Sequence, residues 1–416
     1  MKNIIRNIKG TKDILSDQTD IWKYLENFIH NHFSKFGYKE IRTPNFENTN
    51  LFLKSIGDDT DIVTKEMYSW VDQGNNSLTL RPEFTASVVR AYIQHKLGKQ
   101  TKSHKLYYIG SSYRRERPQK GRFREFQQFG LEAFGSKYPE QDAEIIYIIY
   151  SLYESLNIKN LVLKINSIGS KESRILYKEA LQSYFKKYEK KLTDISLKRL
   201  KNNPLRILDT KVDFEKGLVN KAPKIIDYLN EEDKDHFNKV LTILEKLNIK
   251  YTIDHYLVRG LDYYSRTVFE IQTNSLGSQN ALCGGGRYDY LVEQLGGDPT
   301  PSIGFAAGLE RLILAMGIDT AALNKHPDIY IISLGEKAIE FSMKIANQLR
   351  IEKNLIVIND TLKRSLKSQM KDANRLQAKY ALIIGDDEIK NKIFCLKNME
   401  TGNQEEIDLN KILDLF

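Results

Sequence analysis

Three segments of the chain are dense in side chains that can hold a charged ligand: LVRGLDYYSRTVFE at 257–270, CGGGRYDYL at 283–291 and SIGFAAGLERLI at 302–313. In the first segment, Arg259 carries a permanent positive charge beside the flexible backbone of Gly260, and the hydroxyls of Tyr263 and Tyr264 follow. A packed core rarely needs polar groups at this density. The spacing therefore predicts a site that binds a charged or polar ligand.

The size of the chain sets the number of domains that this site can draw on. A length of 416 residues with 41% hydrophobic content is enough for two or three domains, each with its own core. No stretch approaches the roughly 20 apolar residues that cross a bilayer, so we expect no membrane span. The N-terminus lacks the apolar core of a secretion signal, and we expect a cytoplasmic protein.

Cysteine and histidine usage bears on metal binding. Cys283 and Cys395 are far apart in sequence, which indicates free thiols and not a disulfide framework or a cysteine zinc site. His30 and His32 are the closest pair of histidines, and on a helix this spacing points them to different faces. We therefore assign no metal-binding residue.

The net charge of +9, from 63 Lys and Arg against 54 Asp and Glu, fits a protein that meets a polyanion such as RNA. A general bias toward lysine in the coding sequence would give the same value. Charge alone therefore leaves RNA binding open.

Hydrophobic periodicity predicts the elements that position the site. Apolar residues recur at helical spacing from Asp17 to Phe36, and Gly37 ends the pattern. The segment YKEIRTPNFE at 38–47 is typical of a strand that ends at Pro44. Two aromatic-rich strand candidates, LYYIGSSYRRERP at 106–118 and FREFQQFGLEAFG at 123–135, are separated by the basic loop at 117–124 and predict an antiparallel hairpin with a charged tip.

The remainder of the chain suggests a helical insertion and a second domain. Residues 170–251 are rich in Lys, Glu and Leu and predict helices inserted into the first domain. After a linker, apolar strands at 328–334, 354–360 and 380–387 alternate with helices, which is typical of a small α/β domain with a largely parallel sheet. We place the domains at 1–320 and 327–416.

Taken together, these motifs resemble those of histidyl-tRNA synthetases, a family of class II aminoacyl-tRNA synthetases. The resemblance runs almost from end to end, from IKGTKDIL at residue 8 through YIGSSYRRERP at 108 and LVRGLDYY to GLERL at 308. It implies an α+β catalytic domain, an antiparallel sheet flanked by helices, with a helical insertion and a C-terminal α/β anticodon-binding domain. It also implies that histidine and ATP form histidyl-adenylate, that histidine tRNA is then charged, that Mg²⁺ takes part and that the protein is a homodimer.

Residue roles follow from the same resemblance, position by position. It implies catalytic roles for Arg114, Arg259 and Gln128. It implies histidine binding by Glu83, Thr85, Gln128, Glu132, Arg259, Tyr263, Tyr264 and Tyr288. It implies ATP binding by Arg114, Arg122, Phe126 and Arg311, and contact with the acceptor end of the tRNA by Arg117, Gln119, Lys120 and Arg124. Taken singly, each of these residues could be a surface ion pair or a satisfied core group.

A basic group in the second domain has two interpretations. Lys363, Arg364, Lys367 and Lys371 recur near the start of a predicted helix. They could form a solvated face or contact RNA, and the resemblance places anticodon binding in this domain.

The chain departs from the family pattern at one position of the site. Where the family usually has RPEGTA, this chain has RPEFTAS, with Phe84 in place of a glycine. If the segment is extended, Phe84 points away from Glu83 and Thr85 and is tolerated. If the glycine's positive φ is required, Phe84 distorts the site. We expect the extended form.

Two other classes of function compete with the enzyme. A regulatory paralogue would keep the synthetase-like fold to sense histidine or control an ATP phosphoribosyltransferase, but such paralogues typically lose catalytic arginines and the C-terminal domain. A general RNA-binding protein would explain the charge but not LVRGLDYY or GLERL. The sequence favours the enzyme.

Overall fold

The computed structural model describes residues 4–57, 60–119, 121–276, 280–317, 325–408, 411–412 and 414. The chain forms two compact units, Met1–Asp319 and Thr320–Phe416. Lys120 lies outside the described residues. Among the helices that the structure describes, none is long and apolar enough to cross a membrane.

The first unit contains eleven described strands in two sheets. They are β1 (Lys39–Glu40), β2 (Phe46–Asn48), β3 (Tyr68–Val71), β4 (Ser77–Leu80), β5 (His104–Tyr113), β6 (Glu125–Phe134), β7 (Leu161–Ser167), β8 (Tyr251–Ile253), β9 (Ser265–Thr273), β10 (Ala281–Arg287) and β11 (Ser302–Gly308). The large sheet has the order β1-β5-β6-β11-β10-β9-β7-β8 and is antiparallel except for its two outer pairs. Strands β2, β4 and β3 form a small antiparallel sheet.

Ten described α-helices accompany these sheets. They are α1 (Thr19–Ser34), α2 (Thr49–Ile56), α3 (Thr85–Gln94), α4 (Pro139–Ser155), α5 (Lys171–Lys186), α6 (Asp194–Asn202), α7 (Asp213–Val219), α8 (Glu231–Lys246), α9 (Leu291–Gln294) and α10 (Leu309–Met316). Helix α1 confirms the periodicity at the N-terminus, since Ile21, Leu25, Ile29 and Phe33 are all buried on one face. Helices α5 to α8 lie between β7 and β8, where the helical insertion is predicted.

The strand predicted at 38–44 is wrong in its extent. The segment is divided between β1 in the large sheet and β2 in the small one. Pro44 cannot donate to a strand ladder, and the carbonyls of Thr43 and Pro44 instead accept hydrogen bonds from Arg81 at 2.8 and 3.1 Å. The chain therefore changes sheets at this point.

The predicted hairpin is confirmed. Strands β5 and β6 pair from His104 opposite Phe134 to Tyr113 opposite Glu125. Side chains two residues apart on a strand share a face. Polar side chains of β5 and β6 that point to the same face of the sheet therefore lie side by side.

The second unit is a five-stranded mixed sheet with helices. Its described strands are β12 (Ile329–Leu334), β13 (Val357–Asn359), β14 (Tyr380–Gly385), β15 (Ile393–Asn398) and β16 (Gln404–Asp408), and its described helices are α11 (Glu336–Glu352), α12 (Leu366–Arg375) and α13 (Asp386–Asn391). The order is β13-β12-β14-β15-β16, with the first three strands parallel. The predicted fold class is therefore confirmed for both units.

Candidate active site

A cavity of about 310 Å³ is lined by residues of β6 and β9 to β11, of the connection between β5 and β6, and of the segment that leads into β9. Many of the residues predicted from the motifs line it: Glu83, Thr85, Arg114, Arg122, Phe126, Gln128, Arg259, Tyr263, Tyr264, Tyr288 and Arg311. Glu132 is buried behind this lining, in contact with two of its members. The motifs, which are far apart in sequence, therefore meet at one site.

Glu132 lies at the centre of a buried hydrogen-bond network. Its carboxylate accepts hydrogen bonds from Thr85 Oγ1 at 2.7 Å, from the Tyr288 hydroxyl at 2.5 Å and from the Tyr108 hydroxyl at 3.2 Å. Burial is the main reason why the pKa of Glu132 is raised to about 8. The hydroxyl donors lower this pKa, whereas the nearby carboxylate of Glu83 raises it. A carboxyl group with a pKa in this range can exchange a proton near neutral pH.

Tyr108 was missed by the sequence analysis. It is fully buried, and it lies on β5 opposite Gly130, the neighbour of Leu131 on β6. A Cβ at Gly130 would lie 2.5 Å from the Tyr108 hydroxyl oxygen, so the glycine makes room for this ring. The alternation of side chains along the predicted hairpin was the signal that could have found it.

The backbone at Phe84 differs from the extended form that we expected. Its φ of −95° and ψ of −33° are helical, because Glu83 accepts hydrogen bonds from the amides of Thr85 at 2.7 Å and Ala86 at 2.8 Å and so caps α3. The prediction of an extended segment is therefore wrong. The negative φ nevertheless suits a residue with a side chain, and no glycine is required here.

Arg259 has unused hydrogen-bonding capacity in the cavity. Its Nη1 donates to Glu270 at 2.6 Å, whereas its buried Nε has no partner among the described residues. Although burial lowers its pKa, the charge of Glu270 raises it overall, and the guanidinium stays protonated. Glu270 was missed by the sequence analysis, and a lone carboxylate in the apolar strand RTVFEIQT was its signal.

Three other arginines supply positive charge around the same cavity. Arg114 donates through Nε to the carbonyl of Pro82 at 2.9 Å, and its guanidinium carbon lies 5.5 Å from the centre of the Phe126 ring. Arg122 pairs with Glu116 at 2.8 Å. Arg311 donates to the carbonyl of Ala281 at 2.9 Å. The arrangement can hold a polyanion next to an aromatic ring.

The residues predicted to contact RNA lie on the connection between β5 and β6, outside the cavity lining. Arg117 and Gln119 are exposed, whereas Arg124 is half-buried. The Arg124 amide donates to the carbonyl of Gly10 at 2.7 Å, and its side chain packs against that glycine. Two of the three side chains are therefore accessible to a large ligand.

The basic group of the second unit is more mixed than its sequence indicates. Arg364 donates to Asp360 at 2.6 Å, to Asp372 at 2.9 Å and to the Tyr330 hydroxyl at 3.1 Å. These contacts tie α12 to the sheet. Lys367 and Lys371 are exposed.

Comparisons with known proteins agree along the whole chain. A histidyl-tRNA synthetase family model matches residues 10–312, and an anticodon binding domain model matches residues 328–416. The histidine–tRNA ligase of Ruthia magnifica subsp. Calyptogena magnifica is 47% identical over 416 residues, 99% of this chain and 98% of that protein. That of Staphylococcus haemolyticus is 46% identical over 419 residues, 99% of each chain. The crystal structure of apo S. aureus histidyl-tRNA synthetase is similar with a TM-score of 0.84 at 39% identity, and the match covers 99% of this chain and 100% of that chain.

Proposed function

The chain belongs to the histidyl-tRNA synthetase family, and from that premise we propose how its cavity performs the reaction. Histidine and ATP form histidyl-adenylate and pyrophosphate, and the histidyl group then passes to the 3′ end of histidine tRNA. The observation that carries the proposal is the convergence of Arg114, Arg259 and Arg311 on the cavity behind which Glu132 is buried. One end of the site thus suits phosphates, and the other suits a polar ring.

Adenylation joins two anions that repel each other. A carboxylate oxygen of histidine attacks the α-phosphorus of ATP, and the bond from that phosphorus to the β-phosphate oxygen breaks as pyrophosphate leaves. We assign Arg114 and Arg259 to the α-phosphate and the carboxylate, with Gln128 on the carboxylate. Fixed cations at this point stabilise charge that builds up in the transition state without reorganising at the moment of reaction.

The nucleotide is held by the remaining cations of the cavity. We assign Phe126 and Arg311 to the adenine ring, one on each face, and Arg122 to the outer phosphates. The closeness of Arg114 to the Phe126 ring supports this assignment, because it places the base and the α-phosphate site side by side. Stacking between an aromatic ring and a guanidinium is open to any purine base.

The side chain of histidine meets the buried end of the cavity. We assign its imidazole to Glu132 and Tyr264, with Tyr263 and Tyr288 shaping the pocket. A buried polar group left without a partner costs roughly 1–3 kcal/mol, so an analogue without ring nitrogens is rejected, by roughly 10⁴ to 10⁵ fold when two such partners are lost. The α-amino group is assigned to Glu83 and Thr85.

We propose that Mg²⁺ enters with ATP and is held mainly by phosphate oxygens, as is usual for this ion. In the described part of the chain, no group of three or more His, Cys, Asp or Glu side chains is placed to hold a metal ion. Glu116 and Glu270 are paired with arginines. Glu310 also lines the cavity. Its Oε1 accepts a hydrogen bond from the Gln127 amide at 2.9 Å, and we assign its other oxygen as the protein ligand. Glu310→Gln is then expected to raise the magnesium concentration needed for activity, and an unchanged requirement refutes the assignment.

We propose that the protein contacts its tRNA at two places, the acceptor end and the anticodon. Arg117, Gln119 and Arg124 are assigned to the acceptor end, and the second unit is assigned to the anticodon. Phosphate contacts of this kind position the RNA, whereas base contacts supply specificity. Because charging serves translation, we place the protein in the cytoplasm.

We propose that the working form is a homodimer. Phe46, Trp70 and Val71 on the small sheet are 51%, 40% and 64% exposed, a concentration of apolar surface that suits a protein interface. Sedimentation of the purified chain tests this directly. A monomer at micromolar concentration would refute it, and Trp70→Glu should weaken the dimer.

The proposed reaction is tested by ATP–pyrophosphate exchange with each amino acid supplied separately and no tRNA. Exchange that depends on histidine alone supports both the adenylation and the imidazole assignments. Exchange with another amino acid means that the specificity residues are misassigned. A folded chain that binds histidine without exchange indicates the regulatory alternative, which the full set of arginines in the cavity disfavours.

A further inference from the structure

Phe84 is part of a buried aromatic stack beside the cavity. Its side chain is 2% exposed, and its ring lies parallel to that of Tyr108, with the centres 4.2 Å apart and 4° between the planes. The guanidinium carbon of Arg81 lies 3.8 Å from the centre of the Phe84 ring. The ring of Phe84 therefore contacts a cation and an aromatic side chain at the same time.

The cation of this stack is itself fixed to the backbone. Arg81 donates through Nε to the carbonyl of Ser111 at 2.8 Å and through Nη1 to the carbonyl of Thr43, also at 2.8 Å. A Cβ at Gly110 would lie 2.9 Å from Arg81 and 3.1 Å from Phe84, so this glycine leaves the space that both groups fill. The position of Phe84 is thus determined on several sides.

The stack leads to the carboxylate that we assign to the imidazole. Tyr108 is fully buried, and its hydroxyl donates to Glu132 Oε1 at 3.2 Å. The carbonyl of Phe305 lies 3.5 Å from the same hydroxyl and is an alternative acceptor. A tilt of the Tyr108 side chain about its Cα–Cβ bond would move the hydroxyl oxygen away from Glu132, and this hydrogen bond would then be lost.

We propose that Phe84 is a positioning residue for histidine recognition, which holds the Tyr108 ring so that its hydroxyl fixes the carboxylate of Glu132. The inference rests on the proposed function and deepens it. It assigns a role to the position at which this chain departs from the glycine that the resemblance implies. The alternative is that Phe84 only fills space in the core.

The first test compares Phe84→Leu and Tyr108→Phe in the full chain by ATP–pyrophosphate exchange. The first change keeps an apolar side chain but removes the flat ring, and the second keeps the stack but removes the hydroxyl. Each should raise KM for histidine about tenfold, the effect of one weakened buried hydrogen bond. KM for ATP and kcat should stay within about twofold. An unchanged KM for histidine in either variant overturns the inference.

The double variant Phe84→Leu with Tyr108→Phe separates positioning from packing. If Phe84 acts through the Tyr108 hydroxyl, the double variant loses no more histidine affinity than Tyr108→Phe alone. If the two changes act independently, their effects on KM for histidine multiply to about a hundredfold. That result would contradict a role of Phe84 that acts through the Tyr108 hydroxyl. The control is Phe394→Leu, since Phe394 is 2% exposed and contacts Phe341 with nearly parallel rings but belongs to the second unit. This control should leave both KM values unchanged.

Phe84→Gly introduces the glycine that the resemblance implies for the family, and it separates a positioning role from obstruction of the site by Phe84. If Phe84 positions Tyr108, histidine affinity falls in this variant. A gain in exchange would show that Phe84 obstructs the site. An inactive parent chain would refute the proposed function and would say nothing about Phe84. Failure of the proposed function can therefore be distinguished from failure of the inference about Phe84.

Discussion

The assignment of Arg259 can be tested without touching Arg259 itself. A Cβ at Gly284 would lie 1.8 Å from Arg259 Nη2 and 2.2 Å from its Cζ. Carbon and nitrogen atoms in contact need about 3.5 Å. Gly284→Ala therefore forces the guanidinium to move by more than 1 Å, away from the position at which it pairs with Glu270.

The size of the effect follows from the role of a fixed cation. A misplacement of about 1 Å at a reacting group costs on the order of 10²-fold, and removal of one transition-state donor costs roughly 10²–10³-fold in kcat. We expect Gly284→Ala to lower kcat for ATP–pyrophosphate exchange about 100-fold, which corresponds to about 2.7 kcal/mol. Arg259→Ala should lose at least as much.

The comparison that decides the matter is the double variant. If Gly284→Ala acts by displacing Arg259, then Gly284→Ala with Arg259→Ala is no slower than Arg259→Ala alone. The matched control is Gly217→Ala, because a Cβ at Gly217 in α7 meets nothing within 4 Å. Normal activity of Gly284→Ala, or a double variant much slower than Arg259→Ala, would refute the reasoning.

Three further predictions concern pH, stability and RNA. Burial raises the pKa of Glu132 to about 8 from 4.5, so the folded empty chain holds a proton that the unfolded chain has lost between these pH values. The stability of the parent relative to Glu132→Gln should therefore fall by about 1.4 kcal/mol per pH unit from pH 4.5 to 8, and denaturant unfolding that shows a constant difference would contradict the raised pKa. Asp142→Asn should destabilise the chain by about 3 kcal/mol, because the fully buried Arg287 loses the nearer of its two carboxylate partners, at 2.6 Å, and keeps only Asp289 at 3.1 Å; a melting temperature equal to that of the parent would argue against it. Lys367→Glu should raise KM for tRNA in the charging reaction and leave tRNA-free exchange unchanged, and unaffected charging would assign the exposed lysines of α12 to a solvated face.

Most of the fold could be predicted because its signals are local. The helical spacing of Ile21, Leu25, Ile29 and Phe33 and the alternation along the β5–β6 hairpin each depend on a short stretch of sequence. The segment at 38–47 was predicted less well. Its hydrogen-bond partner, Arg81, is distant in sequence, and nothing in the segment indicates that its carbonyls leave the ladder.

The site divides in the same way. Residues inside sequence motifs, such as Arg259 and Tyr288, could be named from the sequence and lie together in the structure. Tyr108 and Glu270 were missed because each acts through a neighbour, Glu132 in one case and Arg259 in the other. The conformation of Phe84 was predicted wrongly because the side chain of Glu83 turns the chain into α3. The hydrogen bond from the Thr85 amide to the Glu83 side chain overrides the strand pattern there.

The glycines show most clearly what the sequence leaves undetermined. A Cβ at Gly304 would lie 1.8 Å from Glu132 Oε2, and these two residues are paired between β11 and β6. A Cβ at Gly284 would likewise lie 1.8 Å from the guanidinium of Arg259, although Arg259 lies in the segment before β9 and not in a paired strand. The sequence shows that these positions lack side chains, but the group that fills each space depends on strand register and on a loop from elsewhere in the chain. Because both spaces are occupied by groups that we assign to substrate, an added methyl at either glycine should impair catalysis before it impairs folding, and exchange activity measured beside the unfolding transition separates the two effects.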